Sequence, residues 1–161
     1  MSIKIAVDTS GLKALLSEFD GELSKETRPI AQAGAQVLYD DVKANVAALG
    51  KRSGKLANAI YQAFSADNSL DGVSTYHVSW NARKAPHGHL VEFGHLMRYA
   101  TFIDKSGRWV TLKNRPLGTP RHVAANPFIR PAMSKFPLAL DAMEHKLDER
   151  LAAIKAQLGV Q

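Results

Sequence analysis

The sequence predicts an α+β fold, with a small antiparallel sheet that includes a hairpin, packed against two N-terminal helices and a long C-terminal helix. Apolar residues recur at helical spacing near both ends of the chain, while the middle alternates apolar and polar residues in short runs. Strands that follow one another, separate from the helices, favour an antiparallel sheet. The 161 residues are 45% hydrophobic and 22% charged, as in one globular domain, so we expect residues 1–161 to form a single domain.

The N-terminal region predicts a short edge strand and two helices. Ile3, Ile5 and Val7 alternate with smaller or polar residues, which indicates the strand. Thr9 and Ser10 can cap a first helix, whose apolar stripe is Leu12, Leu15, Leu16, Phe19 and Leu23. A second helix is predicted to start at Pro29 and to end with Gly50 as its C-cap. Its small residues Ala31, Ala33, Gly34 and Ala35 would let another helix approach closely.

The middle of the chain predicts strands. After the basic loop 51–54, Ser53 can cap a short turn that leads to an extended run from about Ile60. A half-buried strand is expected over 73–80, after a turn cluster at 67–72. Residues 98–103 and 108–112 bracket a glycine-containing loop, which predicts a β-hairpin. Residues 114–126 are rich in Pro and Gly without apolar periodicity, so we expect a mobile loop or arm there.

The C-terminal region predicts a long helix. Asn126 is a suitable N-cap and Pro127 a suitable first residue, with Pro131 still in the first turns. Pro137 lies deeper and should break or kink the helix. Beyond it runs one apolar stripe of Leu140, Met143, Leu147, Leu151, Ile154 and Leu158. This stripe packs either on the protein's own core or against a neighbouring subunit.

Composition excludes several classes of protein. Without cysteine the chain can form no disulfide and carry out no thiolate chemistry. The N-terminal apolar stretch is too short for a signal peptide, and no run approaches the about 20 apolar residues that cross a bilayer. We therefore expect a soluble protein that is not exported by the general route and has no membrane partner.

Positive charge is concentrated in the middle of the sequence. Residues 51–135 carry thirteen Lys and Arg but only four Asp and Glu, whereas both ends are slightly acidic. A basic region attracts phosphate groups or an acidic protein face. It can equally be a solvated loop surface.

The stretch "APHGHLVEFGH", residues 85–95, raises the question of a metal site. His87 and His89 would share one face of a strand, whereas His89 and Glu92 would be neighbours on a helix, and both geometries cannot hold at once. The His pair at i, i+4 that marks helical zinc sites is missing. We expect no metal, no cofactor and no catalytic residue, because neither a phosphate-binding loop nor a magnesium-binding acidic cluster accompanies the histidines.

The predicted hairpin suggests an alternative function in nucleic-acid binding. Basic residues occur there beside Tyr99, Phe102 and Trp109, and such a mixture can follow phosphates and stack on bases. Aromatic residues on strands are also common core residues. The basic residues concerned are Arg98, Lys105, Arg108, Lys113, Arg115 and Arg121. These residues therefore support an alternative function, that of a small basic nucleic-acid-binding protein or a nuclease.

Three segments in this order carry a resemblance to a known family. They are Ser53–Ile60 (SGKLANAI), Ala85–Gly94 (APHGHLVEFG) and Asn126–Ala132 (NPFIRPA). Together they resemble the neck or tail-completion proteins of long-tailed bacteriophages, which are similar in role to minor tail protein Z of lambda-like phages. The shared core motif is His89, Leu90, Val91, Glu92, Phe93, Gly94, Pro127, Phe128, Arg130 and Pro131. The chain departs from the family by inserting about 95–125, which includes the basic hairpin and loop.

The resemblance implies a structural virion protein of the head–tail junction rather than an enzyme. Such proteins form a ring, sixfold in the virion, that completes the tail and joins it to the DNA-filled head. The implied partners are further copies of the chain, head-closure or connector proteins, and the tail terminator. The six basic residues of the insertion would then face genomic DNA in the channel or a neighbouring ring. The resemblance also implies that the protein assembles in the host cytoplasm and is located in the virion neck.

The resemblance also gives the core motif a structural role. A short helical turn would bury Leu90, Val91 and Phe93 against the sheet, and Gly94 would end it in a left-handed conformation. His89 and Glu92 would form its polar face. We further expect Glu92 to face Arg130 in the last helix.

Overall fold

A computed structural model describes residues 10–50, 54–70 and 72–159. The helices are α1 (Ser10–Ala48), α2 (Gly88–Phe93) and α3 (Phe136–Leu158). The strands are β1 (Ile60–Phe64), β2 (Tyr76–Trp80), β3 (His95–Ile103) and β4 (Trp109–Val123). Short 3₁₀ helices occupy Ala57–Ala59, Ala66–Asn68 and Arg130–Lys135. The predicted α+β class is confirmed. The expected strand at Ile3–Val7 and the expected cap at Ser53 lie outside the described residues.

The two predicted N-terminal helices are one continuous helix, so that expectation was wrong. Pro29 lies inside α1 and does not end it. Proline removes one backbone hydrogen bond and costs about 3 kcal/mol in a helix interior. The turns on both sides keep their hydrogen bonds, and starting a second helix would carry a nucleation cost of its own. Gly50 follows the helix with φ of 80°, and its N–H donates to the Ala47 carbonyl, as expected of a C-cap.

The strands form two two-stranded antiparallel sheets rather than one. Strands adjacent in the chain pair locally, β1 with β2 and β3 with β4, and α2 lies between the two pairs in the sequence. The expected hairpin is present as β3–β4. Its turn is held by Asp104, whose carboxylate accepts hydrogen bonds from the N–H groups of Ser106 and Arg108. Gly107 supplies the positive φ of 77° that this turn requires.

Most of the segment expected to be a loop or arm, 114–126, belongs to strand β4. β4 is longer than β3, and the register shifts on either side of Tyr99. Such bulges leave residues outside the ladder, so a proline can sit in this stretch without losing a ladder hydrogen bond. Pro120 lies in one of the bulged stretches, and Pro116 lies opposite Tyr99 at the shift. The absence of apolar periodicity therefore marked an irregular, largely exposed strand.

The C-terminal helix begins nine residues later than expected, at Phe136 instead of Pro127. Residues 126–129 are not helical, and Arg130–Lys135 forms a 3₁₀ helix that leads into α3. Pro137 lies in the first turn of α3, so it separates the two helical segments. Asn126 is not the N-cap, because the N–H groups that follow it donate to a side chain from elsewhere in the chain (described below).

The described residues fall into two compact units. The helical unit is formed within Met1–Asp40, Tyr61–Val78 and Ser134–Gln161, and the hairpin unit within Asp41–Ile60 and Ser79–Met133. A single domain over 1–161 stays a prediction. In the helical unit α1 and α3 approach closely at Gly34, where a Cβ atom would lie 2.7 Å from the Met143 sulfur. The predicted close approach at the small residues of α1 is thus confirmed. In the described part of the chain, no helix is long and apolar enough to cross a membrane.

Candidate functional site

The centre of the hairpin unit is a buried carboxylate. Glu92 lies in α2, and only 2% of its surface is exposed. Its Oε2 accepts hydrogen bonds from the backbone N–H groups of Phe128 at 2.8 Å and of Ile129 at 3.0 Å. Its Oε1 accepts from the N–H of Arg130 and from Arg130 Nε, both at 3.1 Å. We call Glu92 with residues 128–130 the Glu92 anchor.

The three backbone donors are those that a helix start leaves unpaired. The Ile129 carbonyl accepts from the N–H of Ala132, which opens the 3₁₀ helix, so the preceding N–H groups have no partner within that helix. Negative charge is favoured at such a position because the N–H dipoles point towards it. Glu92 therefore caps the start of the C-terminal helical segment from a different element of the fold.

The surroundings lower the pKa of Glu92. Burial alone would raise it, because a charge is less stable away from water. The hydrogen bonds from the N–H groups of Ile129, Phe128 and Arg130, together with the Arg130 side chain, outweigh that effect. The carboxylate is thus held ionised, and the predicted pairing of Glu92 with Arg130 is confirmed.

Arg130 contacts α2 at the Glu92 carbonyl and the Phe93 ring as well as at the Glu92 carboxylate. Its Nη2 donates to the Glu92 carbonyl at 2.5 Å, and its guanidinium lies 5.2 Å from the centre of the Phe93 ring. Its side chain nevertheless remains 56% exposed. A second backbone link runs beside it, from the N–H of Asn126 to the Val91 carbonyl at 2.8 Å.

Phe128 places the anchor against the core of the hairpin unit. It is fully buried, and its ring packs edge-on against Trp80 at 5.7 Å between centres. The Asn45 side chain in α1 donates to the Phe128 carbonyl at 3.1 Å. Both the N–H and the C=O of Phe128 are therefore held by side chains distant in sequence.

Two glycines allow α2 to pack as it does. A Cβ atom at Gly88 would overlap the indole Nε1 of Trp80, so only glycine fits there. Gly94 has φ of 72° and ψ of 175°, a conformation nearly restricted to glycine. The expectation of a positive φ at Gly94 is confirmed, but ψ lies outside the left-handed helical region. A Cβ there would also lie 2.7 Å from the Val123 carbonyl oxygen.

The burial of the motif differs from the prediction. Phe93 was expected to be buried, yet it is 65% exposed, and Glu92, expected on the polar face, is the buried side chain. The reason is that residues 128–130 need an acceptor, and the α2 side chain that faces them is Glu92. Leu90, Val91 and Pro127 are partly buried, whereas His89 and Pro131 are exposed.

The basic residues singled out in the sequence all lie on the hairpin and all are exposed. Arg108 pairs with Asp104 at the turn, and the others make no ion pair within the described residues. They are Arg98, Lys105, Lys113, Arg115 and Arg121. Their contact with DNA or with a neighbouring ring stays a prediction.

The histidines of the stretch 85–95 do not form a ligand cluster. In the described part of the chain, no three His, Asp or Glu side chains are placed to hold a metal ion. His95 Nδ1 and Trp80 Nε1 are buried without a hydrogen-bond partner.

Sequence reasoning missed the three backbone donors of the Glu92 anchor and the contribution of Asn45. The sequence carried no clear signal for them, because Asn126 is itself a suitable local cap for the N–H groups that follow it.

Comparison with known families identifies a related family. Residues 10–94 match the family described as "Bacteriophage HK97-gp10, putative tail-component". The match ends at Gly94, immediately before β3, and so includes the first two segments of the sequence resemblance but not the third. Comparisons with curated proteins and with solved structures gave no match.

Proposed function

Because the chain belongs to the HK97-gp10-like family of bacteriophage tail components, we propose that it is a structural subunit of the virion neck. There it forms a tail-completion ring that joins the tail to the DNA-filled head. The observation that carries the proposal is the family match over more than half of the chain. A phage tail component resides in the virion and contacts other phage structural proteins.

The Glu92 anchor supports a role as a rigid ring component. It links α2, from the second resemblance segment, to residues 128–130 of the third through four hydrogen bonds to one carboxylate. Hydrogen bonds to a charged group contribute about 1.5–3 kcal/mol each, although they are not additive. The two segments are therefore held together as one structural element.

The partners follow from the proposed position. Neighbouring copies complete the ring, sixfold as the resemblance implies, with a head-closure or connector protein on one side and the tail terminator on the other. The exposed large apolar residues suit these contacts, because exposed apolar patches mark interaction surfaces. They include Phe93, Ile103, Trp109, Met133 and Leu138.

We propose no enzymatic activity. The one observation that favours the alternative, a nucleic-acid-binding protein or nuclease, is the row of exposed basic residues on the hairpin β3–β4. An assay of DNA cleavage with and without magnesium or manganese separates the two functions. We expect no cleavage under either condition, and metal-dependent cleavage would establish the alternative.

A phage that lacks this protein tests the proposed function. With a nonsense codon in its gene, filled heads and full-length tails should accumulate separately, and the purified protein should allow them to join. A phage that still assembles complete virions, or one that makes no tails at all, would contradict a role at the junction.

A further inference from the structure

The hairpin β3–β4 presents a mixed apolar and basic surface. Ile103 and Trp109 lie directly opposite each other on the two strands and are each 56% exposed. Thr111 continues the same face of β4, because alternate residues of a strand share a face. Lys113 and Arg115 follow in the stretch between Leu112 and Pro116 where the register shifts, and both are exposed. We call Ile103, Trp109, Lys113 and Arg115 the hairpin patch.

The hairpin has little support from the rest of the chain. Within the described residues, β3 and β4 pair only with each other, and their main contacts are mutual. An isolated two-stranded hairpin is at best marginally stable in water. Exposed apolar residues beside basic ones, on a sheet with open edges, are typical of a surface that is covered in the assembled state.

The charges of the two units indicate what covers it. Among the described residues, the hairpin unit carries eleven basic and three acidic side chains, and the helical unit seven basic and ten acidic. A hairpin patch facing the hairpin patch of a second copy would bring like charges together. A hairpin patch facing the helical unit of a second copy would bring opposite charges together.

One surface of the helical unit matches the patch in both charge and polarity. Asp141, Glu144 and Asp148 are spaced three and four residues apart on α3, so they share one helix face. All three are exposed and make no ion pair within the described residues. Leu140, one turn before Glu144 on the same helix face, is 43% exposed. We call these four residues the acidic face of α3.

We infer that the hairpin patch of one copy docks on the acidic face of α3 of a second copy. Lys113 and Arg115 meet the carboxylates, and Ile103 and Trp109 cover Leu140. Each copy binds one neighbour through its hairpin patch and the other neighbour through its acidic face of α3. Such a head-to-tail contact closes into a ring when the rotation between neighbouring copies permits it. The inference deepens the proposed ring and rests on that proposal.

Charge reversal tests the inference, because it predicts a specific rescue. The hairpin variant is Lys113→Glu with Arg115→Glu, and the helix variant is Glu144→Lys with Asp148→Lys. Each variant alone repels its own copies, so sedimentation should show association weakened about tenfold or more relative to the unmodified chain. An equimolar mixture of the two should restore association, because every hairpin then meets an α3 of opposite charge.

Two matched controls change the same kind of charge elsewhere. Arg83→Glu with Lys84→Glu reverses two exposed cations of the hairpin unit outside the hairpin, and Asp20→Lys with Asp67→Lys reverses two exposed carboxylates of the helical unit. Both should associate like the unmodified chain. Added salt should weaken the association of the unmodified chain, because opposite charges are screened.

Each other outcome overturns the inference. A result in which the unmodified chain stays monomeric at millimolar concentration and low salt would contradict the inference. Failure of the two mixed variants to associate would also contradict it. If the hairpin variant associates normally but binds random-sequence duplex DNA more weakly than the unmodified chain, the patch serves DNA instead. The experiment on the joining of heads and tails is independent of these association measurements. It therefore tests the proposed function separately from this inference.

Discussion

At the residue scale the structure depends on one carboxylate that is removed from water and surrounded by donors. Glu92 accepts three backbone N–H groups and one guanidinium nitrogen. A buried charge with all of its hydrogen bonds satisfied is tolerated, whereas removing its charge leaves the donors facing a poorer acceptor.

Replacing Glu92 with Gln should therefore destabilise the protein. The amide keeps one acceptor oxygen but directs its NH₂ group at N–H donors, so we expect a loss of about 2–4 kcal/mol in the free energy of unfolding at neutral pH. Urea denaturation measures it. The matched control is Glu18→Gln, an exposed carboxylate on α1, which should change stability by no more than about 0.5 kcal/mol. Equal effects of the two substitutions would show that the anchor contributes nothing.

The contribution of Glu92 should also depend on pH. Its pKa is lowered in the folded state from the ordinary value of 4.5. The folded state therefore gains stability above the unfolded pKa and loses it as the pH falls through the folded pKa. The stability difference between the unmodified chain and Glu92→Gln should be full near pH 7 and shrink as the pH falls below about 4.5. A difference that stays constant down to acid unfolding would rule out the ionised carboxylate as its source.

At the scale of elements, the connection between α2 and β3 depends on Gly94. Replacing Gly94 with Ala combines an unfavourable backbone conformation with a Cβ that lies too close to the Val123 carbonyl oxygen. We expect a loss of about 3 kcal/mol or more, or failure to fold. Gly118→Ala is the control, since Gly118 has no positive φ and a Cβ there meets nothing within 4 Å. Thermal unfolding that is equally affected by both substitutions would contradict the role of Gly94.

Elements defined by local patterns could be predicted from the sequence, and those defined by long-range contacts could not. The hairpin turn at 104–107 and the glycine that ends α1 were predictable, because short-range hydrogen bonds and positive φ angles fix them. The continuity of α1 through Pro29 was not predictable from the local pattern. It depends on whether the stability of the whole helix outweighs the unfavourable free energy of one proline in its interior. The length of β4 depends on pairing with β3, which overrides its proline-rich composition.

In the candidate site, too, one feature could be predicted from the sequence and another could not. The partnership of Glu92 and Arg130 was expected from the motif, since each belongs to a segment of the resemblance. The burial of Glu92 instead of Phe93 was not, because it follows from three N–H groups that approach from 36 to 38 residues away. No periodicity in residues 88–94 indicates which face those donors will meet.

At the scale of the whole molecule, opposite charge on two compact units is the feature that bears most on assembly. The hairpin unit is basic and the helical unit acidic, so copies of the chain can attract one another through unlike surfaces. The family match places the chain among phage tail components, in which contacts with other structural proteins are to be expected. A neck ring is the assembly that we propose for it.

A cryo-EM reconstruction of the neck of intact virions would locate this chain in the particle. We expect a ring between the head connector and the tail tube into which this chain fits, with the hairpin β3–β4 of each copy lying on α3 of its neighbour. Density at that position that belongs to other proteins, with this chain located elsewhere in the tail or missing from the virion, would contradict it.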